Sequence, residues 1–108
     1  MARPRICAAI VVLALLPGAV AFADERNDSE AKALFIAGRD AFEAGRFETA
    51  LDQWQKAYEL SRRPGLQHNI GLAHDRLRHD DQALTAFKAY LAEVPDSANR
   101  VGALGPRW

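Results

Sequence analysis

The feature that most constrains this chain is an internal echo at a separation of 33 residues. At that offset Gly38 falls on Gly71, Ala50 on Ala83, Leu51 on Leu84 and Trp54 on Phe87. Few identities exist elsewhere, yet small, small, apolar, aromatic is kept at positions where helices would touch. Small residues let two helix axes approach, and the aromatic fills the gap toward the next pair. A period in this range is the signature of stacked helical hairpins, each too small to bury its apolar face alone.

Within each unit the apolar spacing is helical. Ala31, Leu34, Phe35, Gly38, Ala41 and Phe42 recur at steps of three and four, which places them on one face. Asn27, Asp28 and Ser29 offer N-caps for this helix, and Gly45 offers its stop. A second stripe runs through Phe47, Ala50, Leu51, Trp54, Ala57 and Tyr58 to Arg62-Arg63, with Pro64-Gly65 as a break. A third helix is expected over 66–77 and a fourth over 80–94, where Asp80-Asp81 suit a helix start and Pro95 a stop. No stretch alternates as a strand does, so the expectation is all-α.

The segment Leu34-x3-Gly38-x6-Gly45-x-Phe47-x2-Ala50-Leu51-x2-Trp54-x2-Ala57 resembles a tetratricopeptide repeat. Asn69-Ile70-Gly71, followed by Ala83-x3-Phe87-x2-Tyr90 and Pro95, resembles a second one, one residue out of register at Pro64-Gly65. The resemblance spans residues 31–95 and extends to exported bacterial proteins with few repeats. It implies two stacked helix-turn-helix hairpins (30–63 and 64–95) in a short right-handed solenoid. Gly38, Ala50, Trp54, Ala57, Gly71, Ala83, Phe87 and Tyr90 would be its packing residues. It further implies a groove lined by the first helix of each hairpin, with Phe35, Arg39, Phe42, His68, Asn69, Leu72 and Arg76 facing a protein or peptide. Asn69 matches an asparagine of carboxylate-clamp repeats, but no lysine accompanies it and Phe35 stands where one would be, which argues against a chaperone-tail clamp. Residues 96–108 are expected to form a short capping helix and tail, because a solenoid's last pair otherwise exposes its apolar side.

Residues 1–23 read as an address. Arg3 and Arg5 precede an uncharged run of 11 residues (6–16), Pro17-Gly18 interrupts it, and Ala21-Phe22-Ala23 supplies small residues at a cleavage site. The run is too short to span a bilayer, which takes about 20 apolar residues. Cleavage after Ala23, or after Ala21, would leave a short linker at 24–29 and a chain with no cysteine, since Cys7 is the only one. A periplasmic or secreted location follows as the expectation, with no permanent membrane span after cleavage.

Composition closes other routes. The 14 Lys and Arg balance 14 Asp and Glu, so no basic excess exists to neutralise phosphates, and nucleic acid is not expected as a partner. Neither a phosphate-cradling glycine loop nor a nucleophile elbow is present, and the carboxylates at 43, 48, 52 and 59 read as the wet face of a helix. His68, His74 and His79 are six and five apart, with a turn expected between the last two, which is poor spacing for a shared metal. The reading is therefore a non-enzymatic interaction module with no cofactor. Its rival is a structural subunit or truncated fragment of a larger cell-envelope assembly. The face of the fourth helix carrying Leu84, Tyr90 and Leu91 is expected to be exposed and open to a second copy.

Overall fold

The structure, a computed structural model, describes residues 17–94 and 105–108, with side chains from residue 24. Four helices follow in order: α1 (Pro17–Glu43), α2 (Phe47–Ser61), α3 (Gly65–Arg76) and α4 (Asp80–Glu93). No strand occurs among the described residues, so the architecture is all-α as expected. The connections 44–46, 62–64 and 77–79 are three residues each, and links this short make consecutive helices antiparallel neighbours. α2 packs on both α1 and α3, and α4 packs on α3.

The turns joining α1 to α2 and α3 to α4 are the same turn, repeated 33 residues on. Gly45 (φ 78°) donates to the Phe42 carbonyl at 3.0 Å, and the Arg46 N–H reaches Ala41 at 2.8 Å. In the second turn Arg78 (φ 64°) donates to Asp75 at 3.1 Å, and the His79 N–H reaches His74 at 2.9 Å. Arg46 (φ −88°, ψ 72°) and His79 (φ −89°, ψ 71°) then launch α2 and α4 in nearly identical conformations. Glycine enters the left-handed region freely, whereas an arginine there costs about 1 kcal/mol.

The seams repeat as well. A β-carbon on Gly38 would sit 2.5 Å from Trp54 Cδ1, and one on Gly71 would sit 2.5 Å from Phe87 Cε1. Each glycine thus lets an aromatic ring from the following helix lie against its backbone. Trp54 is fully buried, and its indole N–H donates to the Phe35 carbonyl at 3.1 Å, which fixes α2 against α1. Ala50 and Ala57 are also fully buried beside it, as are Leu66 and Ala73 on α3. Losing a tryptophan packed this way costs about 3–5 kcal/mol. Phe87 is only half-buried, so the second seam is the looser of the two.

Three expectations need correction. The linker at 24–29, with Asn27, Asp28 and Ser29 as caps, is instead part of α1. Those residues include neither glycine nor proline, and Asp28 pairs with Arg63 at 3.0 Å, which lays the segment along the end of α2. Tyr90 is 6% exposed and faces inward, while Leu84 and Leu91 are 53% and 54% exposed, so only the leucines stand on the open face. Of the expected cap, 96–104 lies outside the described residues, as does 1–16 of the leader. Residues 105–108, expected as tail, are non-helical and lie against α3. Finally, His74 and His79 are not kept apart by their turn. It folds the end of α3 onto the start of α4 and brings their Nδ1 atoms to 3.1 Å.

Candidate functional site

α1 and α3 both pack on α2, and the residues expected to line a groove lie on these two helices. Near one end, the Arg76 guanidinium lies 5.7 Å above the Phe42 ring and so links α3 to α1. Phe42 is itself held by Phe47 and Trp54, with ring centroids at 5.2 and 5.4 Å. Arg39 is half-buried and Arg76 exposed, each with a carboxylate (Asp40, Asp75) 3.9 Å away, and Leu72 is half-buried. Attractions at such exposed distances are weak and leave both guanidinia available.

The other end is occupied. Asn69 is fully buried, and its amide makes two hydrogen bonds to one residue of the tail: Nδ2 donates to the Arg107 carbonyl, and Oδ1 accepts the Arg107 N–H, both at 2.6 Å. A carboxamide that donates and accepts in this way reads a peptide backbone rather than a side chain. Beside it, Trp108 stacks at a tilt on Phe35, with centroids 5.3 Å apart, and Arg63 lies 4.4 Å over the indole. The same guanidinium also pairs with Asp28 at 3.0 Å. Gly65 forms the floor: a β-carbon there would be 2.9 Å from the Trp108 carbonyl oxygen and 3.2 Å from Arg107 Cβ.

His68 completes this end. Its ring lies 5.8 Å from Phe87 and 5.3 Å from Tyr90, and the Arg107 guanidinium stands 5.8 Å over Tyr90. Burial holds the His68 pKa below its ordinary value, the positive charge of Arg107 lowers it further, and a hydrogen bond with Asn69 partly opposes both. Protonation of the imidazole is therefore disfavoured next to the arginine.

Of the seven expected groove residues, Phe35, His68 and Asn69 thus gather around the tail, while Phe42 and Arg76 meet at the other end. Arg63, Gly65, Arg107 and Trp108 were missed. Their one signal was a tryptophan beside an arginine in a glycine- and proline-rich tail, a large apolar surface that a chain rarely leaves in water.

Two other places carry polar groups. The His74–His79 pair has ring centroids 5.4 Å apart, and burial, then the charge of His79, lowers the His74 pKa. Among the described residues no group of three or more histidine, cysteine or carboxylate donors is gathered for a metal. An open depression of about 380 Å³ lies between α3 and α4, bordered by Gln67, Ile70, His74, Asp81, Gln82 and Thr85. No helix among the described residues is long and apolar enough to cross a membrane.

In comparisons with known protein families, curated proteins and solved structures, no match to this chain is found. The residues alone therefore define its class, an all-helical chain whose described tail is held against α3 by Asn69.

Proposed function

We propose that this chain is an exported module of two tetratricopeptide-like repeats that binds protein or peptide segments on the α1–α3 face and catalyses nothing. The observation that carries the reading is the pair of hydrogen bonds from buried Asn69 to a single backbone unit, flanked by aromatic and cationic side chains. The solenoid arrangement is supported by the turn and the glycine–aromatic seam recurring at the same 33-residue offset. Binding by complementarity to an extended segment needs no cofactor, and the balanced charge offers no footing for nucleic acid. Export with cleavage after Ala23 or Ala21 fits the same picture: a chain starting at Asp24 would place Asp24 and Glu25 in the first turn of α1, where negative charge is favoured.

A second reading rests on Leu84 and Leu91, which are about half exposed on one side of α4. There the chain would dock permanently, onto a second copy or as a subunit of a larger envelope assembly. Selection of displayed peptides against the full chain separates the two. On the groove reading, the selected peptides lose at least tenfold affinity for Leu72→Glu and none for Leu84→Glu. The reverse pattern supports docking through α4 and contradicts the groove.

A further inference from the structure

The tail does more than cover an apolar spot. Its backbone satisfies both functions of a fully buried asparagine, whose amide would otherwise be left without partners. Its indole lies against Phe35 from α1 and Arg63 from the α2–α3 connection, while its backbone carbonyl passes over Gly65 at the start of α3. Its arginine spans to Tyr90 on α4. Asn69 would grip the backbone of any residue but proline. The indole slot and the Tyr90 face, by contrast, choose an aromatic preceded by a cation.

We propose that this site is a recognition slot for a basic–aromatic pair in an extended segment, and that Arg107 and Trp108 are its built-in occupant, so that an external segment of the same chemistry binds only by displacing them. The proposal rests on the groove reading above and adds its ligand class and its regulation. Competition by a segment carried on the same chain is strong, because tethering supplies it at an effective concentration on the order of millimolar. External ligands then meet a groove that is closed until something withdraws the tail or outbids it. The glycine at position 65 is part of the same device: any side chain there would stand where the Arg107–Trp108 backbone passes.

The test titrates a fluorescent peptide carrying the sequence of residues 102–108, amidated so that binding owes nothing to a terminal carboxylate, against the full chain. Wild type is expected to bind it weakly, and the full-length variant Arg107→Pro/Trp108→Ala at least tenfold more tightly. Proline removes the N–H that Asn69 accepts, and alanine empties the indole slot; neither residue lies in a helix. In that emptied chain, adding Gly65→Ala, or replacing the peptide's tryptophan by alanine, should return binding to the wild-type level or below. Trp108→Ala alone serves as a milder second variant, and circular dichroism confirms that the helices persist. Equal affinity for wild type and both variants overturns self-occupancy. Tight binding that ignores Gly65→Ala and the peptide's tryptophan overturns the slot. If other selected peptides still depend on Leu72 while these results fail, the groove reading stands and only this proposal falls.

Discussion

Asn69 and Arg107, 38 residues apart in sequence, form a closed ring of two 2.6 Å hydrogen bonds between one side-chain amide and one backbone unit. The amide is fully buried, so its partner decides whether a polar group deep in α3 is satisfied. That relationship ties the tail to α3, and it can be tested one group at a time.

Replacing Asn69 by alanine removes both bonds without placing anything larger in the site. The Arg107 amide should then exchange with solvent at least tenfold faster, while amides within α2 keep their protection. Residue-resolved hydrogen exchange measures both. Unchanged protection at Arg107 would mean that the tail is held without Asn69.

The glycine seams predict an asymmetric cost. Gly38→Ala forces a β-carbon into the fully buried Trp54 ring, and overpacking of this kind costs about 1–3 kcal/mol. In a domain of this size that lowers Tm by about 4–8 °C per kcal/mol. Gly71→Ala meets Phe87, which is half-buried and has room to swing, so its loss should be smaller. Thermal melts of the two variants decide the order.

The two hairpin turns predict changes of opposite sign. Arg78→Gly relieves a left-handed arginine, and after the extra entropy of an unfolded glycine it should gain about 0.5 kcal/mol. Gly45→Ala has open space for its methyl, so its loss of about 1 kcal/mol comes from backbone conformation alone. Urea midpoints at unchanged m-value read both effects.

These pairs also show what the sequence could and could not reveal. The positions of α3 and α4 came within a residue of the observed ends, because Pro64-Gly65 and Asp80-Asp81 are strong local signals. The Gly38–Trp54 and Gly71–Phe87 matches were legible because side-chain size is written in the residue names. The turn equivalence of Gly45 and Arg78 was not: a left-handed arginine is imposed by the helices on either side and has no compositional mark. The helical state of residues 24–29 was missed because they look like cap material, whereas in the fold they continue α1 and Asp28 reaches Arg63 at the end of α2. Asn69 was singled out by its place in the repeat, but the partner for its amide comes from 38 residues away. Spacing rules describe one element at a time and are blind to such a return.

Acid should loosen the tail. His68 has a lowered pKa in the folded chain, so below its ordinary value of 6.5 the unfolded chain takes up the proton first. Stability contributed by neutral His68 is therefore complete above that pH and lost as the pH falls toward the depressed value. His74, lowered by burial and by His79, acts in the same direction. A protonated His68 also repels Arg107, so tail docking should weaken together with stability. Melts and Arg107 exchange rates compared at about pH 7.5 and about pH 5 read the effect. His68→Gln should flatten the Arg107 response, and an unaltered response would remove His68 from the site.

The most direct test of the binding face is a nitrogen-resolved NMR titration of the full chain with the amidated 102–108 peptide. The account predicts that shifts concentrate at Phe35, Arg63, His68, Asn69 and the Trp108 indole, with the buried Trp54 indole and the α4 leucines undisturbed. Shifts centred on Leu84 and Leu91, with the Trp108 indole signal unmoved, would contradict it.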